Sequence, residues 1–406
     1  MHNIDFIDGG VTAVSGFQSA GIHCGIRRNK SKKDLALILA DRLCNAAAVY
    51  TTNKVKAAPI YLTMENLKNG KAIAILANSG NANACAPGST EAATACVEAA
   101  AHALGVKSTD IIINSTGVIG QPLPTDAITS AIPTLVSALT TDSQDAADAI
   151  MTTDTFSKSA AVRFMIGDNP VVIGGIAKGS GMIHPNMATM FAFLTTDCAI
   201  AQPLLQDALR DSTNQTYNRI SVDGDTSTND MTAILASGAA GNKEITKKDA
   251  NYNVFLTALN ALNLKLAKLI AQDGEGATKL ITCLVKGTAT EDIAVKLAKS
   301  VISSSLVKAA MFGSDANWGR VLCAMGYSGA DFDAKNVCVS FSSKEGRIDV
   351  CKKSTGLQFN EETAKVVLNQ KEVTIEIVLS EGNASAEAYG CDLTYDYVKI
   401  NGDYRS

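Results

Sequence analysis

Short apolar runs alternate with helical patterns through the first half of the chain, and this alternation most constrains the fold. The apolar runs are bounded by Asp, Asn, Gly and Thr, which is typical of buried strands. Strands that alternate with helices predict a layered α/β fold. The predicted strands are 35–40, 46–50, 72–76 and 111–113, and the predicted helices are 59–67 and 90–104, the second with Ser89 or Thr90 as its N-cap.

The pattern changes after residue 150. Segments 158–166 and 171–177 flank the turn sequence GDNP, which predicts a hairpin. Further strands are predicted from residue 190 and at 231–236, with a helix over 202–217 between them. Hairpin strands beside strands that alternate with helices indicate a mixed sheet, and we expect an α-β-β-α sandwich with helices outside.

A second, smaller α/β domain is expected toward the C-terminus. Segment 251–271 has one apolar face, from Phe255 to Ile270, and predicts a long amphipathic helix. A strand is predicted at 278–285. We therefore expect a sandwich domain over 1–285 and a smaller domain over 286–400, which starts with a helical region and continues with strands at 337–341, 347–350 and 373–379.

Charge and cysteine usage point to small-molecule partners. The chain has 406 residues, 46% of them apolar, and 36 Lys and Arg against 40 Asp and Glu. Such a balance gives no general attraction to nucleic acid or to an anionic membrane. No CxxC occurs and the four His are scattered, so no metal or other cofactor is expected. The N-terminus lacks a signal-peptide pattern, and we expect a cytoplasmic protein.

Two glycine-rich segments follow predicted strands, where α/β proteins place ligand loops. They are NSGNANACAPGS at 78–89 and NSTGVIG at 114–120. The second could present a hydroxyl and free backbone N–H groups, which are the donors that a developing oxyanion needs. It could equally be an ordinary turn at a strand end.

The stretch KGSGMIHPNMATMFAFLTTD (178–197) runs from a glycine-rich loop into an apolar strand, with Thr189 at the joint. Thr189 could be a buried strand residue. It could also be a nucleophile that uses its own α-amine as the base, since an α-amine has a pKa of about 8. That chemistry requires cleavage of the Ala188–Thr189 bond.

Three other polar segments leave alternatives open. SVDGDTSTND (221–230) could be a metal loop, although it lacks the EF-hand spacing, or a polar turn. In QDGEGATK, Glu275 could face a pocket or lie in a solvated loop. The C-terminal INGDYRS follows a predicted strand and is typical of a frayed tail.

Together these segments closely resemble the ornithine acetyltransferase family, arginine-biosynthesis enzymes also called glutamate N-acetyltransferases. The likeness covers essentially the whole chain, with many separate motifs in the expected order. They are GVTAVSGFQSAGIHCGI, DLALILAD, AAAVYTTNKVKAAP, NSGNANAC, NSTGVIG, KGSGMIHPNMATM, DGDTSTND, DGEGATK, GSDANWGR and INGDYRS.

The resemblance implies a precursor that cuts itself between Ala188 and Thr189, giving an α-chain 1–188 and a β-chain 189–406 with Thr189 as the nucleophile. It also implies an oxyanion hole at Thr116 and Gly117. The family's substrate-binding positions fall on Thr153, Lys178, Thr189, Glu275, Asn401 and Ser406, the last of which is Thr in many members.

The implied reaction is ping-pong transfer of an acetyl group from N2-acetylornithine to glutamate through an acetyl ester of Thr189. Some family members also use acetyl-CoA as donor. The resemblance further implies dimers of αβ pairs and a C-terminal tail, 401–406, that returns to the site as part of a lid. The alternative reading is a self-cleaving aminopeptidase of related architecture, although its nucleophile is typically Ser.

Overall fold

A computed structural model describes residues 4–184 and 190–403 of the chain. The chain folds into two compact units, and it passes between them more than once. The first comprises Met1–Gly179, Pro185–Asn218 and Thr226–Ala267, and the second comprises Ser180–His184, Arg219–Asp225 and Lys268–Ser406.

Strands and helices alternate irregularly along the chain. Within the described residues, the strands are β1 (Asp5–Ile7), β2 (Phe17–Ile22), β3 (Leu35–Tyr50), β4 (Lys71–Asn78), β5 (Ile111–Ser115), β6 (Lys158–Ile166), β7 (Asn169–Lys178), β8 (Phe191–Thr196), β9 (Ile220–Ser221), β10 (Met231–Ala236), β11 (Leu280–Thr288), β12 (Cys338–Ser343), β13 (Gly346–Lys352), β14 (Thr355–Gly356), β15 (Glu372–Val378) and β16 (Ala384–Cys391). The α-helices are α1 (Ala58–Asn66), α2 (Ser89–Leu104), α3 (Thr125–Ser137), α4 (Gln144–Ile150), α5 (Gln202–Gln215), α6 (Ala250–Gln272), α7 (Glu291–Ser303), α8 (Ser305–Phe312), α9 (Trp318–Gly326), α10 (Glu361–Leu368) and α11 (Tyr395–Gly402).

The first unit contains a nine-stranded mixed sheet in the order β1-β6-β7-β8-β10-β3-β4-β5, with β2 also paired to β3. The pairs β8/β10 and β4/β5 are parallel, and β6 and β7 form the predicted hairpin. The fold is mixed α/β with two sheets and helices, so the predicted layered α/β class is confirmed. Parallel β4 and β5 end at the same edge, which positions the loops that follow them.

Both faces of this sheet are buried, because its strands carry apolar residues at successive positions. Leu35 and Leu37 pack on one face with apolar residues of α2 and α3. Ala36 and Ile38 pack on the other face with alanines of α4. The period of two along a strand explains this division, and burial on both faces explains the continuous apolar runs in the sequence.

Helix α6 packs against the first unit's sheet with the apolar face predicted from its sequence. Phe255, Leu262 and Leu266 are fully buried, and the ring of Phe255 meets that of Phe164 edge to face at 6.4 Å. A Cβ at Gly175 would lie 2.6 Å from Leu194 and 3.1 Å from Leu266, so this glycine lets α6 approach β7 closely. The helix also has the length and hydropathy of a membrane span, but over half of its apolar stretch is buried inside the fold.

The second unit contains a seven-stranded sheet in the order β14-β13-β12-β15-β11-β16-β9. Its core combines apolar residues of β11, β12, β13, β15 and β16 with those of helices α7 to α10. Helix α7 begins at the N-cap Thr290, whose side chain accepts from the Ile293 amide, and has Glu291 and Asp292 in its first turn. These are the local features that start a helix.

Three local predictions were wrong. The predicted strands 35–40 and 46–50 are one strand, because the chain stays extended through exposed Asp41 and Arg42 and only shifts its register against β4. Gly88, at φ +72°, is the N-cap of α2, while Ser89 begins the helix and its hydroxyl donates to the Ala86 carbonyl. The helical region predicted after 286 is confirmed, and it contains two helices, because Ser304 between them is extended and caps the second. Segment 400–402 is the end of α11 and follows no strand directly.

The predicted boundary near residue 285 falls inside strand β11, whereas the chain's last passage between the two units is at Lys268. The limits 1–285 and 286–400 stay a prediction about domains that fold on their own.

Leu266→Ala should destabilise the first unit by about 3 kcal/mol, because it leaves a cavity in a site that is closed on all sides. The matched control is Leu43→Ala, since Leu43 is 49% exposed in the same unit. Urea unfolding of the two variants beside the parent chain measures the difference. Equal midpoints for the two variants would contradict this packing.

Candidate functional site

The loop after β5 lies against the loop after β4. The Thr116 amide donates to the Asn78 carbonyl at 2.9 Å, and the Ala82 amide donates to the Val118 carbonyl at 3.0 Å. The two glycine-rich segments singled out in the sequence are therefore one structure, formed where two parallel strands end.

Gly117 has to be glycine at this junction. Its φ is +133°, and a Cβ there would lie 2.3 Å from the Gly80 carbonyl carbon and 2.5 Å from the Asn81 nitrogen. The amides of its neighbours Thr116 and Val118 donate to the β4 side, whereas the Gly117 amide has no hydrogen-bond acceptor among the described residues. The Gly117 N–H, in the peptide unit that follows Thr116, is therefore not used by any described residue.

Lys178 meets this loop from the end of β7. Its side chain is buried, and its Nζ lies 3.1 Å from the Thr116 Oγ1. An ammonium only donates hydrogen bonds, so Thr116 accepts this one and keeps its own hydroxyl proton for another acceptor. Burial lowers the pKa of Lys178, while the charges of Asp154 and Asp230 oppose that shift.

A buried ion pair holds the chain next to Lys178. The Asp154 Oδ1 lies 2.7 Å from the Lys158 Nζ and accepts from the Gly179 amide at 2.8 Å. Burial alone would raise the pKa of Asp154, but Lys158, Lys178 and the hydrogen bonds lower it to about 2. Thr153 is half-buried in the turn just before Asp154, so the Asp154 contact brings the Thr153 turn to the end of β7.

Asp230 is a buried carboxyl in the same unit. Burial raises its pKa well above the usual range, although Ser227 and Lys178 oppose the rise, and its Oδ2 has no hydrogen-bond partner in the described chain. No group of three or more His, Cys, Asp or Glu suited to a metal occurs among residues 4–184 and 190–403. Segment 221–230 is divided between the two units, because 221–225 belong to the second unit and 226–230 to the first.

Glu275 is buried in the second unit and is not a solvated loop acid. The Asn401 side-chain amide donates to the Glu275 Oε2 at 2.7 Å, and the Glu275 amide donates to the Ser180 carbonyl at 2.9 Å. A Cβ at Gly181 would lie 2.4 Å from the Glu275 carboxyl, so the glycine makes room for it. Helix α11 brings Asn401 to this carboxyl, 126 residues away along the chain.

Asp223 in DGDTSTND has a role that sequence reasoning missed. Its carboxylate accepts from the consecutive amides of Met182 at 2.6 Å and Ile183 at 2.8 Å, and from the Tyr397 hydroxyl at 3.3 Å. Met182 adopts a left-handed φ of +53°, which is uncommon for a residue other than glycine. The run of aspartates in a glycine turn was the available signal.

The predicted site residues thus form two groups. Thr116, Gly117, Thr153 and Lys178 belong to the first unit, and Glu275 and Asn401 to the second. The predicted cleavage site, Ala188 and Thr189, and the predicted substrate position Ser406 lie outside the described residues.

The comparisons with known proteins decide the family. The family model described as ArgJ family matches residues 18–406. The chain belongs to the ArgJ family. The family resemblance drawn from the motifs is therefore confirmed.

Relatives match this ArgJ-family chain over nearly its whole length. It is 50% identical over 398 residues to "Arginine biosynthesis bifunctional protein ArgJ 1" of Clostridium acetobutylicum, covering 98% of this chain and 97% of that relative. It is 51% identical over 407 residues to "Arginine biosynthesis bifunctional protein ArgJ" of Symbiobacterium thermophilum, covering 99% and 100%. Among solved structures, an ornithine acetyltransferase of Mycobacterium tuberculosis complexed with ornithine is 37% identical, covers 46% of this chain and 100% of that chain, and has a TM-score of 0.43.

His184 gives a pH-dependent stability. Its Nδ1 lies 3.0 Å from the Ser221 Oγ and 3.4 Å from the Ser303 Oγ, and burial together with the charge of Lys299 lowers its pKa to about 4. Below the ordinary histidine pKa of about 6.5, the His184 imidazole is protonated in the unfolded chain but stays neutral in the folded chain. The free energy of unfolding therefore falls as the pH drops from about 6.5 toward 4.

His184→Gln should remove this pH dependence. From pH 7 to pH 5 the free energy of unfolding of the variant should fall by about 1 kcal/mol less than that of the parent, allowing for the partial exposure of the ring. Urea unfolding of both proteins at the two pH values measures it. Because all other titrating groups are shared, identical pH dependence in parent and variant would contradict the assignment.

Proposed function

We propose that this chain is a glutamate N-acetyltransferase that moves the acetyl group of N2-acetylornithine to glutamate, releasing ornithine and N-acetylglutamate in arginine biosynthesis. The observation that carries the proposal is the contact of Lys178 with Thr116 beside the unused Gly117 amide, in a chain of the ArgJ family. The full-length relatives are named as arginine-biosynthesis proteins, which supports the pathway.

The nucleophile in this proposal is Thr189, freed when the chain cuts itself between Ala188 and Thr189. The products are an α-chain 1–188 and a β-chain 189–406. The new α-amine takes the hydroxyl proton as Thr189 Oγ attacks the acetyl carbonyl, and the protonated amine then returns that proton to the departing nitrogen of ornithine. The amine of glutamate attacks the resulting acetyl ester in the second half-reaction and regenerates the hydroxyl.

Thr116 and Gly117 are the proposed donors to the oxyanion formed in each half-reaction. The Thr116 hydroxyl accepts from Lys178, so its own proton is available to an oxygen that gains negative charge. The Gly117 amide is the second available donor. Two fixed donors of this kind lower the barrier without having to reorganise during the reaction.

Charge complementarity assigns the substrate contacts. Lys178 carries the positive charge that a substrate carboxylate needs as its partner, and Glu275 carries the negative charge that the side-chain ammonium of ornithine needs. Asn401 orients the Glu275 carboxylate through its 2.7 Å hydrogen bond. Thr153 and Ser406 are proposed as further substrate contacts, and residues 401–406 as part of a lid that excludes water, so that an amine reaches the acetyl ester first.

A second activity is favoured by one observation, the word "bifunctional" in the names of the full-length relatives. We propose that acetyl-CoA also serves as an acetyl donor to glutamate. The working form proposed is a cytoplasmic dimer of αβ pairs.

Self-cleavage is tested on the purified protein. The precursor has a mass of 42.3 kDa, and denaturing electrophoresis with intact mass spectrometry should give two chains cut at 188/189. Thr189→Ala should remain one chain and lose transfer, because it lacks the hydroxyl. Thr189→Ser, which keeps the hydroxyl and the amine, is the control and should still cleave. An active protein that is intact at this bond rules the mechanism out.

The role of Glu275 is tested by Glu275→Gln, which keeps the shape and the hydrogen-bonding oxygen but removes the charge. The KM for N2-acetylornithine should rise about 10-fold, in line with the strength of a charge-assisted hydrogen bond, and the KM for glutamate should change less. Glu372→Gln, at an exposed position of β15, is the matched control. An equal effect on both substrates would reject the assignment of Glu275 to the ornithine ammonium.

A further inference from the structure

One side chain joins both loops that meet at the end of strands β4 and β5. Asn229 is buried, and its Nδ2 donates to the Ala82 carbonyl at 2.6 Å and to the Ser115 carbonyl at 2.7 Å. Ala82 belongs to the loop after β4, and Ser115 is the last residue of β5. Both amide hydrogens of Asn229 are therefore used between the two loops.

The orientation of Asn229 is fixed by its other contacts. Its Oδ1 accepts from the Thr228 hydroxyl, which leaves the Nδ2 to face the two carbonyl oxygens. Its backbone carbonyl accepts from the Asn114 side-chain amide at 2.9 Å. The contacts between Asn229 and β5 thus run in both directions, from Asn229 to Ser115 and from Asn114 back to Asn229.

The Ser115 carbonyl belongs to the same planar peptide unit as the Thr116 amide. Asn229 holds this unit at its oxygen, while the Asn78 carbonyl accepts from the Thr116 amide at 2.9 Å and holds it at its nitrogen. Because this peptide plane is held at both ends, the position of the Thr116 α-carbon is fixed. The next peptide unit, which carries the Gly117 amide, starts from that α-carbon.

We propose that Asn229 is a positioning residue for the oxyanion donors Thr116 and Gly117. The inference rests on the proposed acetyl transfer and adds to it the function of the TND sequence at 228–230. Asn229 acts through the loops and needs no contact with substrate. Because catalytic donors must be held close to their productive geometry, loss of this clamp should lower kcat and leave substrate binding largely unchanged.

Asn229→Asp is the sharpest test, because a carboxylate of the same shape donates no hydrogen bond and repels both carbonyl oxygens. The matched control is Asn242→Asp. Asn242 is also buried, donates from Nδ2 to the Ala199 and Lys243 carbonyls at 3.0 and 2.9 Å, and accepts from the Ala199 amide, but it contacts neither loop. Asn229→Ala, which removes the donors without adding charge, is the second variant if Asn229→Asp does not fold.

The kinetics are measured on the cleaved form of each protein with N2-acetylornithine and glutamate. We expect kcat to fall about 10- to 100-fold in the Asn229 variants with both KM values within about twofold, as for a group that acts on the transition state. The ratio of the Asn229→Asp kcat to the parent kcat at the same pH should partly recover at acidic pH, where the protonated carboxyl donates one hydrogen bond, and the same ratio for Asn242→Asp should show no such recovery.

The inference is overturned if the Asn229 variants keep a kcat within about threefold of that of Asn242→Asp, or if their loss lies in KM alone. A parent protein that transfers no acetyl group would contradict the proposed function itself. The two failures are therefore distinguishable.

Discussion

Hydrogen bonds from buried side-chain amides hold the ends of strands β4 and β5, and the candidate site depends on them. Buried backbone groups that lie beyond the last strand pairs need partners, and asparagine offers both a donor and an acceptor. Asn78 donates to the Asn81 carbonyl at 2.9 Å and accepts from the Ser115 hydroxyl at 2.6 Å, and Asn229 joins the same two loops. These hydrogen bonds constrain the loop in which Gly117 adopts its φ of +133°.

Buried charge is the second constraint on the first unit. Asp154 is paired with Lys158 and accepts from the Thr152 and Gly179 amides, so its buried charge is compensated and the turn beside β7 is held in place. Lys178 differs, because the Thr116 hydroxyl is the one hydrogen-bond partner of its ammonium within the described residues. A buried ammonium with N–H donors that no described residue accepts is costly for folding. Such a group is suited to a site that binds an anion.

Local patterns in the sequence predicted most elements of the fold. Apolar runs that alternate with turn residues placed β4, β5, the β6/β7 hairpin and β10, and the apolar face of α6 was found from its helical period. Errors arose where a local signal competed with tertiary pairing. Asp41 and Arg42 looked like the end of a strand, but β3 continues past them because β10 pairs with its second half from Asn45.

The sequence by itself determined the family, the layered α/β class and the residue types of the candidate site, because motifs and periodicities are local properties of a chain. Tertiary structure alone decided that Lys178 meets Thr116 across 62 residues, that Glu275 meets Asn401, and that Asn229 ties Ser115 to Ala82. The spacing of these residues along the chain does not indicate that they are in contact. They arise where sheet edges and helix ends converge, and the need to satisfy each buried polar group selects the partner.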